Sequence, residues 1–445
     1  EGKFAMKKKT ITTATALGVL VASIPVNAVS AEEIMELVNP PSTATPAVDK
    51  MNVYTSFKTS VNDNSGDGSA QNPYNRFEDA VANVEDGGTI YIDSTTKGFL
   101  NDIGGNLPFL IDKNITIKPI DGSKNARLEV NSAGIILGAN VKFENITLNF
   151  ANRYHDAIFA NGYTLDLINV TSNEGVREVD LFAGGLYDAR GQIHPSGDKG
   201  VINIEVNDNF GGGDLYSKFG NIYAGSMNGK FDGTAEINVS KNGSYDRLKI
   251  TDIKSSGALE TTITDNFFDG VEPEPPVAKP DQFPMNGNVE IKLDNYRVDV
   301  DGVTGSNSKT KVTTSFEYLT ELNLKDIDHL EVASGKAKIN NMNAIPNVTM
   351  GSGATLDLTN LTEFTIDNYD GNGIVALNED GKLNITNPMS GSLEFQVDSY
   401  GQSEPVIENH VYITTPNEDA VISFTPHSSQ SKLDLVPVKN GDVFD

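Results

Sequence analysis

Short alternations of apolar and polar residues recur along most of the chain. Thr89-Ile90-Tyr91-Ile92, Ile115-Thr116-Ile117, Arg127-Leu128-Glu129-Val130, Val141-Lys142-Phe143 and Ile146-Thr147-Leu148 each put every second side chain on one face. Leu165-Asp166-Leu167, Val201-Ile202-Asn203-Ile204 and Ala235-Glu236-Ile237-Asn238-Val239 continue the series. A period of two predicts strands with one buried face, and the Gly, Asn and Asp between them predict turns. Leu322-Asn323-Leu324, Leu330-Glu331-Val332, Ala337-Lys338-Ile339, Val348-Thr349-Met350, Leu356-Asp357-Leu358 and Phe364-Thr365-Ile366 repeat more regularly. Val375-Ala376-Leu377, Leu383-Asn384-Ile385 and Leu393-Glu394-Phe395 extend that run. Three such strands make a repeat of roughly 20–30 residues, the rung of a parallel β-helix. A row of β-sandwich domains would favour longer strands, hairpin dipeptides and buried Trp, and the chain has no Trp.

One segment has the other period. Phe77, Ala80, Val81 and Val84 fall on one face of a helix expected over residues 75–86. Asn75 and Glu78 have the spacing of a capping box, and Gly87 suits a left-handed C-terminal stop. A single helix ahead of a long run of strands is expected to cover the N-terminal end of the stack.

These residues carry a resemblance. Gly66-Asp67-Gly68-Ser69-Ala70-Gln71-Asn72-Pro73-Tyr74, the helix, and Gly87-Gly88-Thr89-Ile90-Tyr91-Ile92 resemble the start of pectate-lyase-like right-handed β-helices. Phe219 to Lys230, followed by Gly233 to Val239, is similar to rungs of the pectate-lyase-like adhesive domains of Gram-positive Firmicute surface proteins. The resemblance covers about residues 50–270. It implies an all-β right-handed parallel β-helix, a pectate-lyase-like solenoid with a short N-terminal capping helix, and a surface-associated or adhesive role. It carries over no catalytic residue.

The two ends extend this picture. Met6, Lys7-Lys8-Lys9, an apolar run from Ala14 to Ala22 and Ala28-Val29-Ser30-Ala31 form a secretory signal with cleavage expected before Glu32. The run is too short to span a bilayer, so no transmembrane segment is expected. Residues 1–5 read as an upstream extension of the reading frame. The expected organisation is an extension and signal peptide at 1–31, a mobile leader at 32–50 and a pectate-lyase-like β-helix at 51–270. A proline-rich linker or long loop follows at 271–284, then continuing solenoid rungs at 285–445. No sorting signal precedes Asp445, so cell-wall association is expected through a C-terminal part beyond it.

The chain carries 34 basic and 61 acidic residues. Past residue 31 these become 30 and 60, a net charge of −30 that repels nucleic acid and polyuronates. The absence of Cys excludes disulfides and thiolate metal sites.

Because β-helices also serve lyases and hydrolases, catalysis must be sought in residues. Arg153-Tyr154-His155-Asp156 is the most suggestive cluster, with Arg153 and His155 as lyase candidates on one side of a strand. Arg177, Arg190 and Arg247 are the other arginines of the matching region. The polygalacturonase pattern of Asn-Thr-Asp, Asp-Asp and Gly-His-Gly is absent, as is a Gly-x-Ser-x-Gly elbow. Gly225-Ser226-Met227-Asn228-Gly229-Lys230 is one residue short of a phosphate-binding loop. The five histidines, His155, His194, His329, His410 and His427, show no metal-ligand spacing. Asn368, Asp370, Asn372 and Glu379 follow the oxygen-ligand spacing of a Ca2+ loop around Gly373, with an Asx-rich turn as the alternative. Asp63 to Gly68 begins similarly. Tyr154, Tyr163, Tyr187, Tyr216 and Tyr223 are available to contact sugars in place of Trp. The expected function is a secreted or cell-surface adhesin-like protein that binds an extracellular glycan or a host or cell-surface protein, without catalysis. A polysaccharide lyase or glycoside hydrolase is the first alternative, and a non-binding stalk the second.

Overall fold

The structure is a computed structural model. It describes residues 49–56, 66–93, 97–100, 108–121, 126–130, 134–150, 157–172, 178–186, 196–207, 216–241, 247–258, 287–295, 299–305, 310–377, 381–397, 412–414 and 422–426. These residues are almost all β, as the alternation predicts. They form a 17-stranded main sheet, an eight-stranded sheet and a four-stranded sheet.

Neighbouring strands run parallel, so each pair needs a long crossover instead of a tight hairpin. The crossovers themselves carry strands. From Thr89–Ile92 in the main sheet the chain passes to Lys97–Leu100 in the four-stranded sheet and Phe109–Ile111 in the eight-stranded sheet. It then returns to the main sheet at Ile115–Pro119. Ile90 pairs with Ile117, 27 residues on, and Ile117 with Phe143, 26 on. These match the expected rung. Leu167 pairs with Ile204, 37 residues on, and Val239 with Leu293, 54 on, because those crossovers carry insertions that the strand pattern does not register. The later coils tighten: Val332 pairs with Met350, 18 residues on. The proline-rich stretch 271–284 lies outside the described residues, and the main-sheet strands that precede and follow it, Thr234–Lys241 and Val289–Asn295, pair directly.

Register stacks like on like. Ile90, Ile117, Phe143, Leu167, Ile204, Val239 and Leu293 fill one inward column of the main sheet, each at most 2% exposed. Burying each such side chain contributes about 1.5–3 kcal/mol. The eight-stranded sheet differs. Ile135–Leu137 and Ala157–Phe159 are buried on both faces. Ile136, Phe159 and Phe182 belong to a second cluster with Leu186 and Met227, on the side away from the main core. Continuous apolar runs of this kind carry no alternation, which is why the period-two pattern passes over these strands.

The helix is shorter than expected and is capped differently. It spans Phe77–Asn83, with Arg76 in extended conformation at the N-cap and no side-chain capping bond from it. Glu78 is buried and lies 3.6 Å from Arg76 in an ion pair. The apolar face is as read: Phe77, Ala80, Val81 and Val84 are buried in the main core. Gly87 has φ of 83° but serves the following turn, where its N–H donates to Asn114 O. The helix C-terminus is instead closed by Lys113 of the next coil. Its Nζ donates to Val81 O, Ala82 O and Val84 O at 3.0, 2.8 and 2.7 Å, placing a cation at the negative dipole end.

Residues 66–74 fold against the first strand, Asn52–Thr55. Tyr54 N–H donates to Gly68 O, Tyr74 N–H to Tyr54 O, and Ser56 N–H to Tyr74 O. Gly68 has φ of 81°, and a Cβ there would collide with the Tyr74 ring, so the turn requires glycine. No helix among the described residues is long and apolar enough to cross a membrane.

Candidate functional site

Two outward polar faces differ in how their charges are matched. On the main sheet one row runs Lys142, Asp166, Asn203, Asn238, Lys292, Thr313, Glu331, Thr349, Asp370 and Ser390 in register. Its members bond to one another: Asn203 Nδ2 donates to Asp166 Oδ1 at 2.6 Å and Asn238 Nδ2 to Asn203 Oδ1 at 2.7 Å. In the neighbouring row, Glu236 receives Lys199 Nζ at 2.6 Å and Lys292 Nζ at 2.7 Å. Those two ammonium hydrogen bonds hold its carboxyl down to about 2. His329 sits beside Thr349 Oγ1 at 2.9 Å, and burial with the nearby Lys311 charge lowers its pKa.

The eight-stranded sheet presents the candidate site. Val179–Phe182, Tyr216–Tyr223 and Arg247–Lys254 are consecutive strands, with a register shift between Val179 and Leu181. Glu178, Asp180, Lys218, Asn221, Tyr223, Asp252 and Lys254 all take part on this side. Glu178 pairs with Lys218 and accepts from Thr251 Oγ1 at 2.5 Å. Burial raises the Glu178 carboxyl, but these bonds outweigh it and leave the pKa lowered. Lys254 lies 3.7 Å from Asp252 and 5.4 Å from the centroid of the Tyr223 ring. The opposite face of that ring stacks on Phe182 at 4.5 Å.

Asp180 is the exception in this cluster. Its Oδ1 accepts the backbone N–H of Asn221 at 2.7 Å, and among the described residues no lysine or arginine stands within ion-pair distance. Burial pushes its carboxyl up to about 6, against the opposing pull of the Asn221 bond and the Lys254 charge. Burial also raises the Tyr223 phenol, with the Asp180 and Asp252 charges adding to it. Glycines make the room: a Cβ at Gly220 would collide with Asp180 Oδ1, and one at Gly302 would stand 2.7 Å from Asp252 Oδ1. The arrangement therefore offers a desolvated carboxylate, a phenol and a second carboxylate to a ligand that donates hydrogen bonds or carries positive charge.

Of the residues singled out from sequence, Tyr223 lies in this site. Arg153, His155, Glu379, His194, His410 and His427 lie outside the described residues. Asn368, Asp370 and Asn372 lie on one long strand, Glu363–Leu377. An extended chain rises about 3.3 Å per residue, so side chains two apart spread along the strand. The two Asn side-chain oxygens also have partners: Asn387 Nδ2 donates to Asn368 Oδ1, and Ser392 N and Oγ donate to Asn372 Oδ1. Gly371, with φ of 119°, marks a coil corner, where a Cβ would collide with Met350 O. No group of three or more His, Asp or Glu that could hold a metal occurs among the described residues. Gly225 N–H donates to Ser256 O and Ser226 Oγ accepts from Gly185 N, so this stretch is a stacked corner.

Asp180 escapes a sequence reading because Glu178-Val179-Asp180-Leu181 alternates like any strand here. The glycine that admits its side chain is 40 residues away, and only the register brings the two together. No protein family, no curated protein and no solved structure matches this chain.

Proposed function

We propose that this chain is an exported surface module of Gram-positive type, a right-handed parallel β-helix akin to pectate-lyase-like adhesive domains, that binds an extracellular glycan. The Asp180–Tyr223–Asp252 face of the eight-stranded sheet carries the reading. There a half-buried carboxylate has no lysine or arginine at ion-pair distance among the described residues, whereas on the main sheet Glu236 is matched by two lysines. The successive parallel coils support the β-helix, and the signal-like residues 6–31 support export with Glu32 as the mature N-terminus.

The test is a glycan array probed with the full exported chain, beside Asp180→Asn and Tyr223→Ala. Binding that both substitutions weaken at least tenfold is the expected result, and binding insensitive to both overturns the assignment of the face. No turnover is expected. Release of unsaturated products, with or without Ca2+, that disappears in Arg153→Ala or His155→Ala would replace the reading with a lyase.

A further inference from the structure

We infer that the ligand of this face is a glycan bearing free ammonium groups, which the carboxylate of Asp180 receives with Tyr223 Oη and Asp252 beside it. The inference rests on the glycan-binding reading and narrows it to a chemical class. Three observations carry it.

The first is the local pairing of charge. Lys218 is matched to Glu178 and Lys254 to Asp252, while Asp180 has the Asn221 N–H and no cation at ion-pair distance among the described residues. Glu178 just before its own strand, Lys218, Asn221 and Tyr223 on the next, and Lys249, Thr251, Asp252 and Lys254 on the one after are the polar groups of this cluster. A half-buried carboxylate whose donors all come from the neutral Asn221 gains most from a ligand that brings positive charge.

The second is the state of the aromatic ring. Sugars without charge are commonly held by stacking on an aromatic face, but both faces of Tyr223 are occupied, one by Phe182 and the other by Lys254. Only the rim and the hydroxyl remain, so recognition here works through charge and hydrogen bonds. The third is the field of the whole molecule. A net charge of −27 draws in a polycation and repels uronates and phosphate polymers.

The experiment titrates the full chain by calorimetry with three hexasaccharides at pH 6.5 and 0.15 M salt: fully deacetylated chitosan, fully N-acetylated chitin and oligogalacturonate. The expected order is chitosan binding, chitin at least tenfold weaker, and no binding of oligogalacturonate. Asp180→Asn should weaken the chitosan complex at least tenfold, the scale of one charged hydrogen bond. Glu290→Gln, which removes one charge from the main-sheet face, should change it less than twofold. Equal losses in the two variants would mean attraction to bulk charge and would overturn the inference. Chitin binding as tightly as chitosan, with Asp180→Asn abolishing both, would leave the glycan site standing and overturn the ammonium requirement. Failure of all three sugars, with array binding that still depends on Asp180, would do the same. Failure together with array binding indifferent to Asp180 would remove both.

Discussion

The outward faces of the main sheet and the eight-stranded sheet use the same residue types and treat a carboxylate in opposite ways. Glu236 has a lysine above and below it and is held down to about 2. Asp180 has a glycine above it and donors from the neutral Asn221 alone, and burial pushes it up to about 6. Parallel strands stand at the same spacing of about 4.8 Å in both sheets, so distance is not the difference. What differs is what the neighbouring coils bring within reach. Lysines offset by two positions in register, Lys199 and Lys292, neutralise Glu236, whereas Gly220 beside Asp180 leaves it available to something else.

The contrast can be tested first through packing. Phe182 points away from the main core yet is fully buried, and Phe182→Ala should lower stability by about 3–5 kcal/mol. Tyr91 stacks on Tyr54 at 4.9 Å on the half-buried surface of the main sheet, and Tyr91→Ala should lower it by about 1 kcal/mol. Urea unfolding of the two variants reads the difference, and equal losses would mean the outer cluster is not a second core.

The carboxylates should then respond to pH with opposite signs. Because the folded pKa of Asp180 is raised, its ionised form opposes folding. The stability it permits at low pH is lost as pH rises from about 4 through 6. Asp180→Asn should therefore stabilise the protein by about 2 kcal/mol at pH 7.5 and have no effect at pH 3.5. Glu236 is lowered, so its contribution is present above about 4.5 and is lost as pH falls towards 2. Partly exposed as it is, screening limits that contribution, and Glu236→Gln should destabilise by about 1 kcal/mol at pH 7. Thermal melts of both variants across pH 2–8 check the signs, and parallel profiles would dissolve the contrast. Millimolar Ca2+ should have the smallest influence. Asn368 and Asn372 already bond to neighbouring coils, so melting curves in Ca2+ and in chelator should coincide, and a rise that Asp370→Ala removes would contradict this.

How much of this was legible follows from what alternation can encode. Thr89–Ile92 stands where the sequence puts it, and Leu330–Val332 and Ala337–Ile339 fall in one bent strand, His329–Ile339. Some of the strands that the alternation passes over, Ile135–Leu137 and Ala157–Phe159, bury both faces and so carry no period of two. The helix was legible from its apolar face, but its closure by Lys113 comes from a neighbouring coil and leaves no local trace. The candidate site is hidden for the same reason. Tyr223 attracts notice as an aromatic residue, whereas Asp180 is one of 61 acidic residues until register sets it over Gly220.

The hydrogen bonds between residues 66–74 and the first strand give the assembly a direction. A sheet of parallel strands is a template at each unpaired edge, able to recruit any extended segment of another chain. At the Asn52–Thr55 edge, the N–H groups of Tyr54 and Ser56 and the carbonyl of Tyr54 are already bonded within the same molecule. Fibre growth by strand addition is therefore blocked at this edge, and a substitution at Gly68 that dislodges Tyr74 would open it to other copies of the chain.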